Sequence, residues 1–434
     1  MSGELIPVLV LSGGFFSLLI LGVPISFSIG FASVLTLCVS FSAWDAAFIV
    51  APRLVNGLQS IGLLAIPFFI LAGNIMNQGG IARRLVNLAR LLVGWLPGAL
   101  AHINVVANMM FGALSGSGVA AAAAVGGIMH PEQEREGYDR SFSAAVNISS
   151  CSTGLLIPPS GALIIYSLSS GGTSIAALFL AGYIPGVIMG VSVMIVALIV
   201  ATRRRYATLP FPPAKEAIRI ALEAIPALIL VVVIMGGIII GAYTPTEASG
   251  VAVALSLLVG FLYRELKIRD IPGIVLQSVL TTSIVLFLVA TSNAMAFVVA
   301  NADIPFMVED FFLGVSDNPV VVLIIINVML LVIGVFMDMT PAVLIFTPIL
   351  LPVVTGLGMD PVLFGIVLIF NLSIGLCTPP VGSALFVGCS VAGTSIEKVF
   401  RPLIPFFLTL VVSLMLVTFI PGLSLWLPRA LGRM

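Results

Sequence analysis

The chain has 434 residues, of which 60% are hydrophobic and 8% are charged, and its formal net charge is zero. Soluble domains carry about 25% charged residues, so this composition indicates an integral membrane protein. Nothing in it suggests nucleic-acid binding, and the four cysteines and two histidines lack the spacing of a disulfide scaffold or a metal site.

The first part of the chain predicts three membrane spans, an interfacial helix and a re-entrant hairpin. Charge-free residues 5–41 are long enough for two spans of about 20 residues each, and a third lies at residues 61–76. Residues 81–95 place leucines on one helical face and arginines elsewhere, which is typical of a helix lying flat on the bilayer. Residues 96–130 are apolar but are interrupted by Ser-Gly-Ser-Gly at 115–118. Because each half is too short to span, they predict a hairpin whose tip reaches the middle of the bilayer.

Residues 141–167 predict a membrane helix that must break. They belong to a charge-free run, yet they contain Gly154, Pro158, Pro159 and Gly161 where the helix should continue. Proline lacks a backbone donor and clashes with the carbonyl four residues earlier. A break at bilayer depth is tolerated only where protein or a water-filled site satisfies the free peptide groups. In secondary transporters such breaks hold ions and substrates.

The second half of the chain repeats this plan. The segment GLLIPPSG at 154–161 recurs as GLCTPPVG at 375–382, an offset of 221 residues. Seven of the thirteen identities between residues 117–161 and 338–382 are Gly, Pro or Asp, whereas shared apolar composition would mostly match Leu, Val and Ala. The pattern predicts a first repeat at 1–202, a basic linker at 203–224, and a second repeat at 225–434 with a hairpin at 319–352 and a broken helix at 360–395.

The distribution of basic residues predicts that the two repeats are inverted. Positive charge marks the cytoplasmic side of a membrane protein, which places the basic linker inside. Counting spans outward from the linker gives the halves opposite orientations and places both termini in the periplasm. One hairpin then enters from each side of the membrane, and the two meet both broken helices near the middle.

The two breaks predict two cation sites. A broken helix exposes carbonyls that suit a hard cation such as Na⁺, and N–H groups that suit an anion. One break could equally be a packed kink, but two copies facing two hairpins favour sites. The predicted ligands are Ser115, Ser117, Gly154 and Pro158 in the first repeat, and Gly334, Gly375 and Thr378 in the second.

Other polar residues leave alternatives open. Asp338 is the one carboxylate predicted at a hairpin tip, where it either caps the following helix or couples a cation. Asn147 and Asn371 either line the substrate cavity or form interhelical hydrogen bonds. Since no basic residue is predicted at the midplane, an anionic substrate would be held by helix N-termini and hydroxyls, at Ser160, Gly161, Gly382 and Ser383.

Several motifs give the chain a family resemblance. The segments PFFILAGNIMNQGG, ALSGSGVAAAAAVGG, IPPSG, TPILLPV and TPPVG resemble the large membrane subunit of tripartite ATP-independent periplasmic (TRAP) transporters. The resemblance implies an all-α, inverted-repeat, elevator-type transporter with two re-entrant hairpins and two discontinuous helices. It also implies sodium ligation at the first hairpin tip with Gly154, Ile157 and Pro158, and at Gly334 with Gly375, Thr378 and Val381.

The expected function is sodium-driven import of a small organic acid across the bacterial inner membrane. The resemblance implies two partners, a small four-helix membrane subunit and a soluble periplasmic binding protein that delivers the substrate. Sodium is the expected coupling ion, with no further cofactor and no enzymatic activity. The alternative is a stand-alone sodium-coupled dicarboxylate elevator carrier that needs no binding protein.

Overall fold

The fold is entirely helical in the part of the chain that the structure describes. A computed structural model describes residues 2–316, 318–379 and 382–434, and these form α-helices joined by turns and short 3₁₀ segments. Eight helices within these ranges are long and apolar enough to cross a membrane. The predicted all-α membrane fold is therefore confirmed.

In the first half of the chain, four helices, which we call the scaffold, precede a short amphipathic helix, which we call the arm; a hairpin and a broken helix follow. The helices that precede the arm of the second half are likewise called the scaffold. The helices of the first half are α1 (Ser2–Ile20), α2 (Ile25–Leu37), α3 (Ala43–Asn56), α4 (Ala65–Gln78), the arm α5 (Ile81–Val93), the hairpin α6 (Ala99–Ser115) and α7 (Gly118–Arg135), the broken helix α8 (Arg140–Cys151) and α9 (Gly161–Ser169), and the long α10 (Ile175–Arg204).

The second half has the same order of elements. Its helices are α11 (Ala214–Ile240), α12 (Pro245–Leu262), α13 (Ile271–Asn301), the arm α14 (Ile304–Val315), the hairpin α15 (Pro319–Phe336) and α16 (Met339–Gly356), the broken helix α17 (Pro361–Gly375) and α18 (Ser383–Ala392), then α19 (Ile396–Phe419) and α20 (Gly422–Ala430).

Helix ends recur at the same offset as the sequence repeat. Helices α7 and α16 begin and end 221 residues apart, and so do the starts of α8 and α17 and of α10 and α19. The first halves of the broken helices form the centre of the protein, since Phe142–Cys151 of α8 and Val362–Gly375 of α17 are all buried. The duplication read from the sequence is thus also visible in the helix boundaries.

The repeated Gly-x-Asp explains how each broken helix begins. Gly137 and Gly358 have φ values of 75° and 85°, which only glycine adopts without strain. Two residues later, the carboxylates of Asp139 and Asp360 accept hydrogen bonds from the backbone N–H groups of Phe142 and Val362, both at 2.8 Å. These N-caps satisfy amide groups that a helix start leaves free.

Replacing Asp360 with alanine is expected to lower the stability of the protein. The loss of an N-cap acceptor typically costs about 1 kcal/mol, so we expect Tm in detergent to fall by about 2 °C. Asp360→Asn keeps an acceptor oxygen and should melt like the wild type. If Asp360→Ala and Asp360→Asn have the same Tm in a thermal denaturation assay, this N-cap does not contribute to stability.

The structure differs from the sequence prediction in a few helix boundaries. Helix α3 was not predicted, because Asp45 and Arg53 interrupt the apolar pattern of a span; Ser42 caps it by accepting from the Asp45 N–H at 3.2 Å. Helix α7 continues to Arg135, beyond the predicted end of the hairpin at residue 130. Helix α11 begins at Ala214, inside the segment predicted to be a linker.

Candidate cation and substrate site

The tip of the first hairpin brings a helix C-terminus and a helix N-terminus together. Helix α6 ends at Ser115, Gly116 turns the chain with φ of 63°, and Ser117 caps α7 by accepting from the Ala120 N–H at 3.2 Å. A side chain on Gly73 of α4 would lie 2.8 Å from the Ser115 carbonyl oxygen. The tip carbonyl is therefore held against a scaffold helix.

The break in the first broken helix packs directly against this hairpin. Helix α8 ends at Cys151 and a 3₁₀ turn covers Ser152–Leu155 before α9 begins at Gly161. A Cβ atom on Gly154 would lie 2.3 Å from the Gly112 Cα atom, so the two backbones touch with no room for a side chain. The break also packs against α10. A Cβ atom on Gly186 of α10 would lie 2.5 Å from the side chain of Ile157.

The second repeat uses the same kind of contact. A Cβ atom on Gly375 would lie 2.4 Å from the Gly334 carbonyl carbon, so hairpin and broken helix again meet backbone to backbone. Close by, the Thr378 hydroxyl donates to the Ile374 carbonyl at 2.7 Å and keeps its oxygen lone pairs available. The structure thus brings together Gly334, Gly375 and Thr378, whereas the predicted ligand Val381 lies outside the described residues.

The two broken helices also contact each other. The Cys377 thiol donates to the Ile148 carbonyl at 2.9 Å and lies 3.5 Å from the Ser152 hydroxyl. Ile148 and Ser152 belong to the first repeat and Cys377 to the second. Both predicted cation sites are therefore parts of one packed centre.

A cavity of about 680 Å³ lies between this centre and the scaffold. The two hairpin tips and α9 form one wall, and α2, α4 and α13 form the other. Four of the predicted site residues line it, namely Ser115, Ser117, Gly161 and Asp338. The hairpin tips of both repeats therefore reach the same space.

The family of the chain follows from comparison with known proteins. A family model described as "Tripartite ATP-independent periplasmic transporter, DctM component" matches residues 12–423. The chain belongs to this family. The resemblance to TRAP transporters that the motifs indicate is confirmed, and the protein is a multi-pass member of this permease family.

Relatives of this TRAP permease span nearly its whole length. It is 40% identical to the 2,3-diketo-L-gulonate TRAP transporter large permease protein YiaN of Escherichia coli, with 86% of this chain and 88% of that one covered. It is 36% identical to the sialic acid permease SiaM of Vibrio cholerae, with 96% and 97% covered, and 52% identical to the uncharacterized protein YgiK of Salmonella typhimurium, with 97% of each covered.

A solved structure supports the same fold. The YdaH transporter of Alcanivorax borkumensis, whose topology is described as unusual, superposes with a TM-score of 0.61 over 89% of this chain and 90% of that one. The two sequences are 13% identical, so this similarity concerns the fold alone.

The electrostatics of the cavity depend on one carboxylate. Among the described residues that line it, Asp338 is the only ionisable side chain. Asp338 occupies the N-cap position of α16, yet its side chain makes no capping hydrogen bond and is exposed to the cavity. Its counterpart Ser117 does cap α7. The TRAP permease thus has one acidic group and no basic group on the described cavity wall.

The predicted asparagines lie in buried networks between helices. Asn147 of α8 accepts from the Asn108 side chain at 3.0 Å and donates to the Ala122 carbonyl at 2.9 Å. Asn371 of α17 donates to the Asn327 side chain at 2.7 Å. Each network ties a hairpin to its own broken helix, and neither asparagine is part of the cavity lining.

The remaining predicted substrate ligands surround the breaks rather than the cavity. The Ser160 hydroxyl donates to the Leu155 carbonyl within the first break. The Gly382 N–H donates to the Thr378 carbonyl at 3.2 Å. The Ser383 hydroxyl, in the first turn of α18, is buried and lies near the Asp338 carboxylate.

The scaffold wall of the cavity was missed by the sequence reasoning. It carries the polar side chains of Ser26, Asn74, Asn77, Gln277 and Thr281. The Asn74 amide donates to the Ser278 hydroxyl at 2.8 Å and so joins α4 to α13. The amide side chains in these otherwise apolar spans could have indicated this wall, because amides inside the membrane usually face a cavity or another helix.

Proposed function

We propose that the protein is the large subunit of a sodium-driven importer of a small organic acid. The observation that carries this proposal is the shared cavity, where both hairpin tips meet around a single carboxylate and no described basic side chain. The side-chain charge of this cavity does not attract an organic anion. Bound cations at the adjacent breaks, with helix N-termini, would supply the missing positive potential.

The cavity position supports alternating access by an elevator movement. Its scaffold lining comes from the start of α2, from residues 66–77 of α4 and from residues 277–288 in the middle of α13. The hairpin tips and the first break form the opposite wall, so the cavity lies between two groups of helices. Import would then require the hairpins and broken helices to move along the membrane normal against α2, α4 and α13.

Delivery of the substrate is proposed to need two partners. Curated relatives are described as large permease proteins of TRAP transporters, which implies a smaller membrane subunit beside this chain. The isethionate relative DctMQ of Oleidesulfovibrio alaskensis is longer, since this chain covers 66% of it. We propose a separate small four-helix subunit and a soluble periplasmic binding protein for this chain.

Reconstituted uptake tests the proposal directly. Proteoliposomes would hold the chain with its small subunit, and labelled acids named for the relatives would be offered, namely sialic acid, 2,3-diketo-L-gulonate, isethionate and C4-dicarboxylates. We expect uptake of one of them only with an inward sodium gradient and its binding protein. Dicarboxylate uptake without a binding protein would support the stand-alone carrier, and uptake that persists without sodium would refute the coupling.

A further inference from the structure

The scaffold wall of the cavity is polar at one end. Asn74 and Asn77 of α4 lie on one face of their helix, and Gln277 and Thr281 of α13 lie on one face of theirs. The Asn74 amide bonds the residue after Gln277, so the two pairs lie beside each other. Further along the cavity, residues 66–70 of α4 and 284–288 of α13 contribute apolar side chains only. We call Asn74, Asn77, Gln277 and Thr281 the polar end of the scaffold wall.

The polar end lies beside the tip of the first hairpin. Gly73 immediately precedes Asn74, and a Cβ atom on Gly73 would lie 2.8 Å from the Ser115 carbonyl oxygen. Ser115 and Ser117 of this tip line the same cavity. A substrate whose carboxylate binds at the tip would therefore place its neighbouring atoms against the polar end.

The side chains of the polar end have hydrogen-bonding groups to offer a ligand. Asn77 and Gln277 are exposed to the cavity, and neither side chain forms a hydrogen bond with a described residue. The Asn74 amide nitrogen donates to Ser278 at 2.8 Å, which leaves its carbonyl oxygen available. The Thr281 hydroxyl donates to the Gln277 backbone carbonyl at 3.0 Å and keeps its oxygen lone pairs available. Neutral groups that both donate and accept are suited to hydroxyl groups, which do the same.

The charges around the cavity suit one substrate carboxylate rather than two. Asp338 is the only ionisable side chain among the described residues that line it. Sodium ions at both predicted sites, together with an ionised Asp338, would leave one net positive charge. One carboxylate neutralises that charge, whereas a second would have no charge to pair with. The polar end offers a second carboxylate only neutral groups.

We propose that the substrate is a hydroxylated monocarboxylic acid, with its carboxylate at the hairpin tips and its hydroxyl groups bound by Asn77 and Gln277. The inference rests on the proposed function, because the charge count assumes sodium at both breaks. It gives the scaffold wall a role in specificity, since the polar end favours hydroxylated acids over dicarboxylates and over acids without hydroxyl groups.

Binding of matched acids to the permease tests this substrate class without the selectivity of a binding protein. The chain and its small subunit would be held in nanodiscs at saturating sodium, and saturation-transfer NMR would measure the affinities of glycerate, threonate and gluconate. Each is compared with the dicarboxylate of the same chain length, tartronate, tartrate or glucarate, and with the acid without hydroxyl groups, propionate, butyrate or hexanoate. We expect one hydroxylated monoacid to bind at least about tenfold more tightly than both of its counterparts.

Replacing an amide of the polar end should remove the preference for hydroxyl groups. Gln277→Leu and Asn77→Leu each change an exposed side chain, so both variants should fold. Each should bind the preferred hydroxylated acid about threefold to tenfold more weakly, because a neutral hydrogen bond is lost. Affinity for the counterpart without hydroxyl groups should stay within about twofold. Gln78 follows Asn77, is also exposed and does not line the cavity, so Gln78→Leu is the control and should bind both acids like the wild type.

The possible outcomes distinguish the parts of the proposal. Equal binding of a hydroxylated acid and its dicarboxylate would overturn the single-carboxylate site. Equal binding with and without hydroxyl groups, or wild-type affinity in both leucine variants, would overturn the role of the polar end. A complex that binds sodium in calorimetry but none of the hydroxylated acids would overturn the substrate class alone. A complex that binds no sodium would instead overturn the proposed function.

Discussion

Replacing Gly154 with alanine is expected to abolish most sodium-dependent uptake. The new methyl group would lie 2.3 Å from the Gly112 Cα atom, and backbone on a packed helix cannot move aside as a flexible side chain can. Separating the first hairpin from its broken helix should cost about 1–3 kcal/mol. That loss would weaken sodium binding by about tenfold or more, as measured from the sodium dependence of uptake in proteoliposomes.

A matched glycine distinguishes this effect from a general effect of alanine. Gly250 of α12 has nothing within 4 Å of an added Cβ atom, so Gly250→Ala should transport like the wild type. Gly375→Ala should repeat the loss in the second repeat, because its methyl group would meet the Gly334 backbone. Wild-type sodium affinity in Gly154→Ala would show that close contact between hairpin and break is not needed for the site.

Replacing Asp338 with asparagine is expected to weaken sodium coupling while leaving the fold intact. Asp338 makes no capping hydrogen bond and asparagine has nearly the same shape, so the start of α16 should keep its stability. The only ionisable group on the described cavity wall would be lost. A hydrogen bond or ion contact with a charged group contributes about 1.5–3 kcal/mol, so sodium affinity should fall by at least about tenfold.

Comparing Asp338→Asn with Asp338→Ala distinguishes the effect of the Asp338 charge from the effect of a helix cap. If Asp338 serves as a cap alone, Asp338→Asn should behave like the wild type and only Asp338→Ala should lose stability and transport. If its charge attracts the coupling ion, both variants should lose sodium affinity and Asp338→Asn should keep the wild-type Tm. Thermal denaturation and sodium-dependent uptake on the same preparations decide between the two.

The sequence predicted the elements that depend on local chemistry. Diprolines and glycines at fixed spacing are recognised directly in the sequence. The positions of both helix breaks and of the hairpin tip between Ser115 and Gly118 could therefore be predicted without coordinates. The 221-residue offset extended each of these predictions to the other half. Helix α3 was not found, because its two charged residues remove the apolar signal on which span prediction depends.

Side-chain contacts between different helices could not be predicted in the same way. The contact between Asn74 and Ser278 joins residues 204 positions apart, and no periodicity in either helix indicates the other. For the same reason the sequence permits two interpretations of Asn147 and Asn371, since an amide inside the membrane can face a cavity or a neighbouring helix. Only their packed neighbours Asn108 and Asn327 show which of the two the fold uses.

The crossing of the broken helices at Cys377 has a mechanical consequence. Because its thiol contacts Ile148 and Ser152 of the other repeat, the two broken helices are packed against each other. In the proposed sodium-driven mechanism, ions bound at the two breaks would therefore move together with both broken helices. The ratio of sodium to cargo would then be fixed by geometry rather than by the order in which the ions arrive.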